Sequence, residues 1–201
     1  VDTVCFGYCE VATSFRPRAG TCWNEDLEGF PYDLERAQEF MAQSEYPDGF
    51  EGLTIMVPGG GGIGLDIAEL AMSMWQEIGI DVDIQEVEGG QMAERYYAND
   101  FDMISDYQWT DDVLDPHQQH AYFVVDPAYH TGWENERAIE AVQEAGTLLE
   151  LEERCELYEQ SQALWNEESV SILTFHPPFA VLMRDEVKGF KGAPEHARNI
   201  R

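Results

Sequence analysis

The sequence predicts an α/β fold, a mixed and mostly parallel sheet flanked by helices. Three observations carry that expectation. The apolar period switches back and forth between that of a strand and that of a helix. A strand, a helix and a second strand follow one another within roughly 30 residues, the spacing of a parallel βαβ unit. With 44% hydrophobic residues in a length of 201, the chain supplies one substantial core. Residues 1–201 are accordingly expected to form a single domain.

The elements can be justified in order. Asp33 is placed to cap a helix whose Leu34, Ala37, Phe40 and Met41 share one face. Tyr46, Pro47, Asp48 and Gly49 make a turn. Residues 53–57 form a short apolar strand. Over 65–78, apolar side chains recur at Ile67, Ala68, Ala71, Met74, Trp75 and Ile78, and Gly79 ends the helix. Ile80, Val82 and Ile84 then alternate with Asp81, Asp83 and Gln85, which gives a strand over 80–87. A short helix at 92–98 leads into a strand at 101–109, and 110–133 lacks a period and is expected to be irregular. Two helices follow, one facing inward with Ala138, Ile139, Val142 and Ala145, the other with Leu151, Cys155, Tyr158, Gln162 and Trp165. Residues 170–175 and 179–183 read as strands parted by Pro177 and Pro178.

Charge narrows the function classes. Asp and Glu number 40 against 11 Lys and Arg, a net charge of −29, and the only lysines are Lys188 and Lys191. Such a surface repels phosphates, which excludes nucleic acid as a partner. The acids are spread along a chain that is 12% aromatic, so they do not form a disordered tail. A carboxylate-dense folded surface repels itself less in salt, and the composition matches that of halophilic proteins. No apolar run approaches a membrane span, and no charged-then-apolar leader opens the chain.

The most informative stretch begins at Phe101. An apolar strand runs out into Tyr107 and Trp109 and then into carboxylates, with Asp106, Asp111, Asp112 and Asp115 close together. Trp109 offers a stacking floor and Asp112 an anionic pole, a combination suited to an ammonium group or a metal ion. A solvated acidic loop is the other reading of the same residues.

Other motifs are weaker. Gly59, Gly61 and Gly64 satisfy G-x-G-x-x-G between a strand and a helix, with Glu86 at the end of the next strand, as in a dinucleotide fold. A run of four glycines also meets many spacings by chance, so a plain turn and a loop offering its backbone, through Gly60 and Gly61, to another ligand stay open. Cys5, Cys9 and Cys22 lack zinc-site spacing, and one disulfide among them suits an exported chain; Cys155 reads as a small buried hydrophobe. His117 and His120 with Asp115 form a candidate metal triplet, read otherwise as polar loop residues. G-x-S-x-G is absent, His176 has no spaced nucleophile, and the acids are too many to single out a catalytic pair. No catalytic residue, cofactor or metal is therefore assigned.

Several segments in series resemble one family. They are 31–42 (PYDLERAQEFMA), 45–50 (EYPDGF), 77–82 (EIGIDV), 100–103 (DFDM), Trp109 through Asp115 and Pro116, His176 with Pro177 and Pro178, and 187–190 (VKGF). In this order and spacing they resemble the peptide/nickel class of ABC-transporter solute-binding proteins, family 5. The resemblance runs from Val1 to about Phe190 and covers the carboxyl-terminal lobe, of the type II periplasmic-binding-protein sort. Residues 1–8 look like the end of the helix that opens that lobe.

What the resemblance implies is extracytoplasmic capture of di- or oligopeptides for uptake, without catalysis. It puts Asp112 opposite the ligand's ammonium group, with Trp109, Tyr107, Asp111, Gly60, Gly61 and His176 around the ligand. An amino-terminal lobe and a membrane permease are the implied partners, in the periplasm or at the cell surface, with a lipid anchor before Val1 as one arrangement. The family's Asp-Pro-Asp stands here as Asp115, Pro116, His117, which leaves open whether the solute is a peptide, a metal chelate or a sugar. A dinucleotide-binding enzyme domain and a stand-alone interaction module that has lost transport are the alternatives. Standing alone, such a lobe is expected to pair as a two-fold dimer.

Overall fold

A computed structural model describes residues 5–105, 115–126, 132–177 and 182–189. The chain divides into two compact units, one of residues 31–108 and the other of 1–30 with 109–201.

The unit 31–108 contains the βαβ unit that the periodicity predicts. Helix α1 is Leu34–Gln43, and its cap is the expected Asp33, whose carboxylate accepts the Arg36 N–H at 3.0 Å. Tyr46 accepts the Gly49 N–H at 3.0 Å to close the turn. Strand β2 (Phe50–Pro58), helix α2 (Ile63–Gln76), strand β3 (Ile80–Val87), helix α3 (Gly89–Tyr97) and strand β4 (Met103–Ile104) follow, and the parallel strands lie in the order β3-β2-β4. Central strand β2 is covered on both faces, so Ile55, Met56 and Val57 form a buried run instead of alternating. Ile55 and Val57 meet Ala68, Leu65 and Trp75 of α2 on one face, while Met56 meets Met92 of α3 on the other. Edge strand β3 shows solvent its Asp81 and Asp83, which blunts the edge against further pairing. Gly49 (φ 106°) comes so close to the Gly79 carbonyl that a Cβ would collide with it, and that carbonyl accepts the Phe50 N–H at 3.0 Å. The start of β2 is thereby clamped to the start of β3.

The second unit is largely helical. Among the described residues its strands are β1 (Glu10–Val11) and β5 (Phe175–His176), paired antiparallel. Residues 170–174, expected to be strand, are not: Val170 N–H closes the end of the preceding helix on Trp165 O, and Ser171 Oγ takes the Trp165 indole N–H. Of the expected strand 179–183, Leu182 and Met183 are described and lie outside any strand. Within 110–133, the chain forms helix α4 (His117–His120) and a π turn, Ala121–Val125, instead of an irregular loop. Helices α5 (Glu136–Ala145) and α6 (Leu151–Glu167) complete the unit. Of the expected amino-terminal helix end, Cys5 to Tyr8 are described, and there the chain turns, with positive φ at Phe6 and Gly7.

Cys155 is not a free hydrophobe. It is bonded to Cys22, and Cys5 to Cys9, so all four cysteines are consumed in two disulfides. Among the described residues, no helix is long and apolar enough to cross a membrane.

Candidate functional site

Helix α6 carries a stripe at one-turn spacing, Arg154, Tyr158, Gln162 and Asn166, that is polar yet points inward. Hydrogen bonds from neighbouring segments make that burial tolerable. Gln162, fully buried, organises the middle. Its Oε1 accepts from Ser14 Oγ at 2.7 Å and from the Asn24 N–H at 3.2 Å, and its Nε2 donates to Cys22 O at 2.8 Å. Nε2 also faces His120 Nε2 at 3.2 Å. His120 Nδ1 lies 2.8 Å from Pro116 O, which can only accept, so the ring carries its proton on Nδ1 and accepts from Gln162 on Nε2. Burial lowers the His120 pKa to about 3 and keeps the ring neutral. With both nitrogens engaged inside the protein, the triplet of Asp115, His117 and His120 does not converge on a metal.

The upper end of the stripe grips the chain as it enters α4. Arg154 donates from Nη1 to Asp115 Oδ2 at 2.9 Å and from Nη2 to Asp115 Oδ1 at 2.6 Å, a two-pronged pair. Arg154 also donates to the Tyr158 hydroxyl at 3.1 Å, which leaves that hydroxyl's own hydrogen for His117 Nδ1 at 3.0 Å. Asp115 further accepts the His117 N–H at 2.8 Å, and the Arg154 guanidinium holds its carboxyl below the usual carboxylate range. Asp115 is therefore committed to the protein, and of the four expected carboxylates it is the one among the described residues. No local pattern reveals this pairing, because Arg154 is 39 residues away.

The lower end holds buried Arg16, which donates to Gln119 Oε1 at 2.8 Å and to Thr21 O at 2.6 Å. Asn166 donates to Thr13 O at 2.7 Å. His176, expected beside the ligand, lies in β5 and donates from Nε2 to Ser14 O at 3.0 Å, with its pKa lowered by burial. Trp109, Asp112, Tyr107, Asp111 and Asp106 lie outside the described residues. Gly60 and Gly61 are exposed in the other unit, both with positive φ, and the Gly60 N–H donates to Glu86 Oε2 at 3.3 Å. The acid that a dinucleotide fold would turn to a ribose is here placed on the loop's own backbone, where it repels a phosphate.

Residues 1–130 match the family of bacterial extracellular solute-binding proteins, family 5, middle part. The chain belongs to this family. It is 28% identical over 185 residues to di/tripeptide-binding protein 2 of Pseudomonas aeruginosa, covering 89% of this chain and 35% of that protein. It is 24% identical over 188 residues to heme-binding protein A of Haemophilus influenzae, covering 89% and 34%. Among solved structures, HbpA2 from Haemophilus parasuis superposes with a TM-score of 0.81 at 24% identity, over 88% of this chain and 36% of that one. The periplasmic binding protein DppA from Helicobacter pylori, in complex with the peptide STSA, gives 0.76 at 21% over 88% and 35%. The fold of this family 5 chain is that of a type II periplasmic-binding-protein lobe, and the chain spans about a third of the length of the curated relatives it matches. The family's members are extracellular solute-binding proteins.

Proposed function

We propose that this family 5 chain serves extracytoplasmic capture of di- or oligopeptides for uptake through an ABC permease. Asp112 pairs the peptide's amino-terminal ammonium, Trp109 provides the floor on which the first residue rests, and Tyr107 and Asp111 line the same strand end. Gly60, Gly61 and His176 are given contact roles in the same reading. Residues 1–201 act as one lobe, and a second, amino-terminal lobe closes over the solute and excludes water. A charge pair formed in that dry site orients the ligand, and removing one partner leaves the other uncompensated.

The family match over residues 1–130 carries this reading, because it includes both Trp109 and Asp112. The names of relatives, among them di/tripeptide-binding and dipeptide-binding proteins, favour peptides over the other solutes. Two disulfides favour an oxidising compartment, in the periplasm or at the cell surface, with a lipid anchor as one means of retention. Without its closing lobe the chain covers its exposed face by two-fold self-association. The test is calorimetry with the dipeptide Ala-Ala and the full chain. Asp112→Asn is expected to weaken binding by ~1.5 to 3 kcal/mol, the range for a charge-assisted hydrogen bond. Unchanged affinity removes Asp112 from the role, and saturable NAD binding would restore the dinucleotide alternative.

A further inference from the structure

The two disulfides differ in what holds their sulfurs together. Cys22 and Cys155, separated by 133 residues, are set against the core around Phe15 and Trp165, and Gln162 Nε2 fixes the Cys22 carbonyl at 2.8 Å. If that bond were opened, the fold would keep the two thiols side by side and they would rejoin. Cys5 and Cys9 close over a separation of four, in a ring whose Phe6, Gly7 and Tyr8 are exposed. Inside it, Tyr8 N–H donates to Cys5 O at 3.0 Å, and the turn holds Phe6 at φ 53° and Gly7 at 79°. A left-handed Phe pays for its Cβ, a cost that opening relieves. The exit from the ring is secured separately. Strand β1 follows Cys9, with Ala12 N–H on Thr174 O at 3.3 Å, Arg18 paired to Glu10 at 2.6 Å, and His176 Nε2 on Ser14 O at 3.0 Å.

We propose that Cys9 is a thiol-exchange site, at which a small thiol without net negative charge opens the Cys5–Cys9 ring while Cys22–Cys155 stays closed and the fold stays intact. Strained or exposed disulfides are the exchangeable ones. Cys9 is partly exposed and Cys5 is buried, so an incoming thiolate meets the Cys9 sulfur. Its sulfur bonds to Cys9 Sγ, the Cys5 sulfur leaves with the bonding pair, and it takes up the proton that the attacking thiol gave up. A second thiol then attacks the mixed disulfide, frees the Cys9 thiol and departs as the oxidised disulfide of the reagent. Two electrons thus pass from two thiols to the ring. Opening leaves the fold standing, because a short ring constrains the unfolded chain far less than a long one. A net charge of −29 repels anionic thiols.

The experiment treats the full chain, under native conditions, with cysteamine or with anionic 2-mercaptoethanesulfonate, traps thiols by alkylation and maps them by mass spectrometry. Cys5 and Cys9 should become alkylated at least about tenfold faster than Cys22 and Cys155, and the trapped cysteamine adduct should sit on Cys9. Hydrogen exchange should quicken over 5–9 and keep its protection in β2 and α6. Phe6→Gly, which accepts the left-handed turn freely, should lower the extent of opening at equal cysteamine by about tenfold. Cysteamine should outpace 2-mercaptoethanesulfonate, with the gap narrowing in molar chloride. The proposal is overturned by alkylation of Cys5 and Cys9 before any thiol is added, by equal rates at all four cysteines, or by an adduct on Cys5. Loss of protection in α6, Phe6→Gly opening as readily as the parent, or a gap between the two reagents indifferent to salt would overturn it as well.

Discussion

The two units of the chain solve burial in opposite ways. In 31–108 the centre is Ile55, Met56, Val57, Ala68 and Val82, all apolar, and the sheet's own ladder satisfies the backbone. Around α6 the centre mixes Phe15, Val142 and Trp165 with fully buried Arg16, Gln162, His120 and Tyr158, each of which is hydrogen-bonded to a neighbouring segment. An apolar core asks for size and shape and forgives substitution; a polar one asks for a partner on every atom and does not. The second unit should therefore be the less tolerant of change and the better suited to hold a binding residue at a fixed point.

Breaking the Cys22–Cys155 bond should separate the units most sharply. Replacing both cysteines with Ser is expected to cost about 4 kcal/mol in the unit that contains them, as removal of a long covalent loop predicts. The transition of 31–108, followed by exchange protection of β2, should not move; equal loss in both would show that the units unfold together. Next come swaps that keep volume. Gln162→Met strands Ser14, Asn24, Cys22 and His120 and should destabilise by ~2 to 4 kcal/mol, whereas Met56→Leu should cost under about 1.5. Denaturant titration of the two variants checks the contrast, and similar costs would erase it.

Acid should act on the same side. His120 titrates at about 3 in the folded chain against 6.5 when unfolded, so its contribution is complete above 6.5 and drains away as pH falls toward 3. Asp115, lowered by Arg154, adds a loss only below the usual carboxylate range. Glu159 runs the other way. Burial, with Asp26, Glu25 and Glu156 nearby, raises its pKa, so it opposes folding at neutral pH and Glu159→Gln should stabilise slightly. Melting between pH 7 and 4 should therefore lower the α6 unit first, and a simultaneous fall of both units would contradict this. Salt should sharpen the comparison in reverse. Arg36 and Arg95 are the only bases between 31 and 108, so molar chloride should raise the midpoint of that unit more, by a few degrees. Indifference to salt between 0.1 and 2 M would remove the halophile inference.

The same contrast explains what could be read from the sequence. Period and turn chemistry located Asp33 as a cap, Gly79 as a stop, and β3 residue for residue, because each signal lies within a few neighbours. Around α6 the stripe of Tyr158 and Gln162 was legible as an inward face, but what it meets was not. Asp115 with Arg154, Ser14 with Gln162 and Cys22 with Cys155 join residues 39, 148 and 133 apart, and no local period encodes such pairs. His117 and His120, spaced like metal ligands, proved to be spaced for Tyr158 and Gln162 instead. The stretch 170–174 failed as a strand for a similar reason: the end of α6 claims Val170 and Ser171 before any sheet can.

The bond between Cys22 and Cys155 also gives the chain a topology that its contacts do not convey. All of 31–108 lies between those two cysteines in sequence, so the sheet unit is an insertion inside a covalent ring. A protease that cuts any peptide bond from 23 to 154 opens the ring without parting the molecule. On a non-reducing gel a single nick there leaves one band, and only reductant resolves it into two. For a member of an extracellular family, one cut in that stretch need not part the chain.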